Sequence, residues 1–235
     1  MNSCESAYSS VRKRIAEASA AAGHPTPARL LAVGKTKPAS SLRELAAFGQ
    51  TAFGENYVQE ARAKQAALAD LDLEWHAIGP LQSNKCRDVA RHFDWLQTLD
   101  RPKLVDLLAR YRPVDRPPLN VLIQVNIDDE TSKSGCAPGD IAGLAAAIAE
   151  HPTLRLRGLM AIPAPLPDLA RRRAAFARMR ELYDALAAKS VQIDTLSMGM
   201  SDDFELAIAE GATMVRVGSL LFGRRTVPAE RHRPT

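Results

Sequence analysis

The chain has 235 residues, 46% hydrophobic and 25% charged, a length and composition that suit one soluble globular domain or two small ones. Its three cysteines, Cys4, Cys86 and Cys136, are odd in number and widely spaced, which argues against a disulfide framework or a zinc site and for a reducing compartment. Of the formal charge of +4, Arg224, Arg225, Arg231 and Arg233 against Glu230 contribute +3, so the remainder carries +1 and offers no basic stripe for nucleic acid. The N-terminus has no apolar signal core, and the Ala-rich run from Ile141 to Ala149 is too short to span a bilayer. A cytoplasmic protein with no membrane or nucleic-acid partner is expected.

In chain order, residues 5–22 read as an Ala-rich helix closed by Gly23. Leu30 to Val33 is an apolar run suited to a strand buried on both faces, followed by Gly34-Lys35-Thr36-Lys37-Pro38. Ser41-x-x-Glu44 then has the form of a capping box opening a helix that ends at Gly49. Ala52 to Glu55 forms a second strand, and Asn56-x-x-Gln59 a second capping pattern before a helix reaching Leu68. Trp75 to Gly79 is a third strand, with a helix from Ser83 to His92; Trp95 to Leu99 is a fourth, after which Asp100 caps a helix with Pro102 in its first turn. Val121 to Ile127 is the fifth, with β-branched residues at alternate positions, and a helix spans Ile141 to Glu150. Leu154 to Ile162 is the sixth, followed by a long helix from Asp168 to Lys189 whose Arg171-Arg172-Arg173 run reads as a solvated face. Thr195 to Met198 is the seventh, with a helix from Asp203 to Glu210, and Met214 to Val217 is the eighth.

Strict alternation of strands and helices implies parallel strands joined by right-handed crossovers. Eight such strands in a chain with no other domain-sized segment select a closed (β/α)8 barrel, of TIM type, over an open doubly wound sheet. One domain is expected: an extra N-terminal helix over 5–22, the barrel over 29–223 and a basic tail over 224–235. No Gly-x-Gly-x-x-Gly or Walker pattern is present.

Active sites of such barrels lie at the C-terminal ends of the strands, and phosphates bind in the loops after strands seven and eight. Lys35 shares strand parity with Leu31 and Val33 and so projects to the same side. The loop Gly199-Met200-Ser201-Asp202-Asp203 follows strand seven and Gly218-Ser219 follows strand eight, each with small residues, a hydroxyl and free N–H groups. Asp202-x-x-Glu205 reads as a helix cap, which gives one carboxylate another task. Arg216 sits inside strand eight and needs an acceptor, either an acid such as Glu55 or a ligand. A strand-end amine, a phosphate cradle and a buried guanidinium together describe a site for pyridoxal 5′-phosphate (PLP).

The stretches AVGKTKP, FGENYVQE, EWHAIGPLQSNK, ETSKSG, RGLMAIP, LSMGMSDDFELAI and MVRVGS, spread from about Leu30 to Gly223, resemble the pyridoxal phosphate homeostasis family. The resemblance implies the barrel of the alanine racemase N-terminal domain without its second domain. It also implies a monomeric or weakly associating PLP-binding protein that keeps vitamin B6 and amino-acid pools in balance, with no established turnover and with apo PLP-dependent enzymes as candidate partners. By the same resemblance Lys35 is the Schiff-base lysine, Ser201, Gly218 and Ser219 are phosphate-binding positions, Arg216 faces the ring nitrogen, and Asn56 lies at the pocket. His76 and Met160 fall in family stretches at strand positions, where pocket lining and core packing compete. Lys37 and Lys133 are the rival amines, and Gly34 stands where the family pattern has serine. No metal is expected. A PLP-dependent amino-acid racemase, for which Tyr57 is the tyrosine nearest a strand end, and a cofactor-free Schiff-base aldolase remain as alternatives.

Overall fold

Eight apolar runs form eight parallel strands: β1 (Arg29–Val33), β2 (Ala52–Glu55), β3 (Glu74–Ala77), β4 (Trp95–Leu99), β5 (Leu119–Gln124), β6 (Leu154–Met160), β7 (Thr195–Ser197) and β8 (Met214–Val217). Each pairs with the next and β8 returns to β1, with Leu31 opposite Arg216, so the sheet closes on itself. Closure excludes the open sheet. This computed structural model describes residues 3–128, 134–164 and 167–223; Lys133 and the basic tail lie outside them.

The helices are α1 (Ser3–Ala21), α2 (Ala39–Ala47), α3 (Val58–Ala67), α4 (Cys86–His92), α5 (Pro102–Tyr111), α6 (Ile141–Ala149), α7 (Leu169–Ala187), α8 (Phe204–Ala209) and α9 (Ser219–Phe222). The strands divide the apolar residues by parity. Leu30, Ala32, Phe53 and Leu96 pack outward into the layer shared with the helices, whereas Leu31, Val33, Ala52, Ile78 and Met214 form a separate cluster inside the barrel. A further interior cluster joins Trp95, Leu122 and Met160. The extra helix α1 buries Tyr8, Val11 and Ile15 along one stripe, and Arg14 Nε donates to Glu205 of α8 at 2.6 Å. Among the described residues no helix is long and apolar enough to cross a membrane.

Several local patterns resolve differently from expectation. α2 begins at Ala39 with Pro38 as its N-cap, so Ser41 is already inside the helix and its box with Glu44 does not cap it. The proline ring, at φ −69°, sets the start three residues early. α3 begins at Val58 after Tyr57, which leaves Asn56 in the bend before it, and α8 begins at Phe204 with Asp203 rather than Asp202 before it. Arg101, not Asp100, is the N-cap of α5; Asp100 instead pairs with Arg101 at 2.6 Å. Asp168, expected as the first residue of α7, is its N-cap, accepting from the N–H groups of Ala170 and Arg171 at 2.8 and 3.3 Å. Of the three-arginine run, Arg172 is turned inward to within 3.8 Å of Asp203, so that face is not uniformly solvated.

Candidate ligand site at the mouth of the barrel

The turn after β1 and the loop after β8 meet. Lys35, Lys37, Gly218, Ser219 and Gly223 line one cavity of about 210 Å³ above Val33. Position 218 is built for close approach, because a Cβ added there would lie 3.2 Å from the Val33 carbonyl oxygen. The Gly218 N–H donates to Ser201 Oγ at 3.4 Å, which ties the loop after β7 to the same edge. Asp203 accepts from the Met200 N–H at 2.8 Å and faces Arg172, so its charge is directed away from the cradle; Asp202 is exposed.

The two lysines of the turn are not equivalent. Lys37 Nζ donates to the carbonyls of Phe222 and Gly223, at 2.8 and 3.4 Å, which pins it against the end of α9. The Lys35 amine has no hydrogen bond or ion pair among the described residues and is exposed at the cavity. Asn56 is half-buried in its bend, and its side chain likewise has no protein partner among them.

Arg216 lies inside the barrel at 4% exposure, and its acceptor is not Glu55. Glu55 has the opposite parity and faces the helix layer. The guanidinium instead donates to Ser197 Oγ at 2.7 Å and to the Ala161 carbonyl at 2.8 Å. Ser197 Oγ in turn donates to Gln97 Oε1 at 2.7 Å, and Gln97 Nε2 lies 3.0 Å from His76 Nδ1. Since the amide nitrogen can only donate, Nδ1 accepts and His76 Nε2–H donates to Glu74, which Arg29 also holds at 2.9 Å. Burial, outweighing Glu74, lowers the His76 imidazole below its ordinary value. His76 and Met160 are fully buried, packed against Trp95 by stacking and by apolar contact respectively; like Arg216, Ser201 and Asn56, neither is among the residues that line the cavity at Lys35. Polar residues at interior parity on β4 and β7, Gln97 and Ser197, were the overlooked sequence signal for this chain of bonds.

A second buried cluster lies just outside the strand. Lys64 of α3, at 5% exposure, donates to Glu55 Oε1 and Glu60 Oε1, each at 2.7 Å, and to the Gly34 carbonyl at 2.8 Å. On the sequence, Glu60-x-x-x-Lys64 is indistinguishable from an ordinary exposed helical ion pair. A Cβ at Gly34 would lie 2.5 Å from Glu55 Oε1, the movable tip of that side chain, so a side chain there asks the carboxylate to shift. Burial pushes the Glu55 carboxyl up to about 7 from 4.5, against the lowering by Lys64. In that window the folded state holds a proton that the unfolded chain has released, so stability falls as pH rises from 4.5 towards 7 and levels off above it. Glu55→Gln is expected to flatten this slope and to match or exceed the parent by up to about 3 kcal/mol at pH 8, measured by urea unfolding across pH; a parallel pH profile would reject it.

A curated relative from Pseudomonas aeruginosa, the pyridoxal phosphate homeostasis protein, is 57% identical over 92% of this chain and 93% of its own length. The chain belongs to the pyridoxal phosphate homeostasis protein family. The family member of the same name from Escherichia coli is 51% identical over 96% of this chain and 98% of its own. The family's barrel is that described as "Alanine racemase, N-terminal domain", whose sequence model matches residues 7–226. The solved structure of PipY from Synechococcus elongatus with PLP bound superposes with a TM-score of 0.76 at 40% identity, over 89% of this chain and all of that one.

Proposed function

We propose that this protein binds PLP through Lys35 and acts as a carrier or buffer in vitamin B6 and amino-acid homeostasis. The observation that carries this reading is the free Lys35 amine sharing a cavity with the Gly218-Ser219 loop while Lys37 is held by backbone carbonyls. The names of the relatives and the PLP in PipY support it. Among the described residues the donor set fits the cofactor: an unpartnered amine, small residues and N–H groups at the ends of β7 and β8, and a buried guanidinium with no carboxylate bonded to it.

When bound, PLP supplies an aldehyde that condenses reversibly with amines and a ring that can draw electrons from the attached carbon. In this reading Lys35 holds the aldehyde end covalently, and Ser201, Gly218 and Ser219 hold the phosphate. Arg216 uses two of its five N–H groups on Ser197 and Ala161, leaving three donors for the ring nitrogen. A cation there opposes protonation of that nitrogen, because adjacent positive charges repel, and so favours holding the cofactor over carbanion chemistry. Asn56 is proposed as a residue of the pocket. We place the protein in the cytoplasm as one barrel domain, monomeric, with apo PLP-dependent enzymes as recipients.

Borohydride reduction of the PLP-loaded protein followed by peptide mapping tests this. A single pyridoxyl label on Lys35 is expected; label confined to Lys37 or Lys133 would overturn the assignment.

A further inference from the structure

Both peptide groups that flank Lys35 are gripped by one ion cluster, buried at Lys64 and Glu55 and partly exposed at Glu60. The carbonyl preceding it, on Gly34, accepts from Lys64 Nζ at 2.8 Å, and the N–H following it, on Thr36, donates to Glu60 Oε1 at 2.6 Å. Glu60 Oε1 also accepts from Lys64 at 2.7 Å, so the two grips share a common centre. The segment they hold is a tight turn, closed by the Lys37 N–H donating to the Gly34 carbonyl at 3.0 Å. Thr36, its third residue, has φ 65°, the only positive φ at a non-glycine position among the described residues. A β-branched residue does not adopt that conformation unaided; neighbouring structure must impose it.

The cluster is also costly in a way that packing alone does not explain. An ammonium at 5% exposure gives up its hydration and needs its donors satisfied, and here all three go to acceptors. An apolar side chain would fill the same space without that cost, and it could not hold a carbonyl.

We propose that Lys64 and Glu60 are positioning residues for Lys35, fixing the strained turn that presents its amine at the barrel mouth. This rests on Lys35 being the cofactor lysine. Without the grip the turn relaxes at Thr36 and the amine samples orientations away from the Gly218-Ser219 loop, so capture of the aldehyde slows even though every cofactor contact is still encoded.

The test compares the parent protein with Glu60→Ala, Glu60→Gln and Lys64→Met, each incubated with PLP and trapped with borohydride over a time course. Hydrogen exchange over residues 34–37 and a cofactor-free melting curve are read alongside. Glu60→Ala is expected to slow labelling of Lys35 by at least about tenfold, the scale of one charge-assisted hydrogen bond, with faster exchange in the turn and a retained melting transition. Glu60→Gln keeps an oxygen that accepts from Thr36 and Lys64 and is expected to restore most of the rate. Lys64→Met should slow labelling similarly, and Glu60, being partly exposed, keeps the test alive should the buried substitution not fold. A slowing in Glu60→Ala of less than about tenfold, or equal slowing in Glu60→Gln, would overturn the proposal. Parent protein labelled elsewhere than Lys35 would instead defeat the cofactor assignment itself.

Discussion

Lys35→Ala is expected to remove the yellow colour of the PLP-loaded protein and most of the stabilisation that the cofactor confers, while leaving the cofactor-free protein unchanged. A ligand that binds only the folded state, present at about a hundredfold its dissociation constant, adds about 2.7 kcal/mol. For a chain of this size that corresponds to a rise of roughly 5–10 °C in Tm. Lys35 is exposed and makes no hydrogen bond or ion pair among the described residues, so its loss should change cofactor-free stability by less than about 0.5 kcal/mol. Thermal melts of both proteins with and without PLP separate the two effects. A variant that keeps the full cofactor-dependent rise would place the anchor elsewhere.

Arg216→Met should show the reverse of what burial alone suggests: a large loss of cofactor affinity with a largely offset change in stability. Burial holds the guanidinium down to about 10 from 12.5, a displacement equivalent to about 3 kcal/mol against keeping the charge inside. Below pH 10 the group is charged in both folded and unfolded chains, so this penalty is constant over the working range and is relieved only as pH rises above 10. Methionine removes the penalty but deprives Ser197 Oγ and the Ala161 carbonyl of their donor, at about 1–3 kcal/mol each. The two changes largely offset, and a net shift between about 1 kcal/mol of stabilisation and about 3 kcal/mol of destabilisation is expected. Binding has no such compensation. Losing a charged donor to the ring nitrogen costs about 1.5–3 kcal/mol, which is roughly tenfold to a hundredfold in Kd by fluorescence titration. Unchanged affinity would remove Arg216 from the ring nitrogen.

That arginine also marks the limit of what could be read without coordinates. Its position inside an apolar strand made burial and the need for an acceptor legible, because Val215 and Val217 flank it. The acceptors themselves, Ser197 and Ala161, are contributed by β7 and the end of β6, and Glu55 faces the other side of the sheet. The helix caps failed for a related reason. Ser41, Asn56 and Asp202 have the side chains that caps use, but Pro38 and the ends of β2 and β7 set where the backbone turns helical. A short polar side chain can cap only the residue position that the preceding chain leaves for it.

The linear chain alone determined the eight strands, their order, and an amine at the tip of the first on the interior side, because alternation along a strand and strand-helix repetition are local properties. Tertiary structure decided which lysine stays free: Lys37 is drawn to a carbonyl 185 positions away, and Lys64 turns inward to a peptide 30 positions before it. Ion pairs and hydrogen bonds are settled by distances of a few ångströms, and barrel closure sets those distances between residues that the sequence keeps far apart.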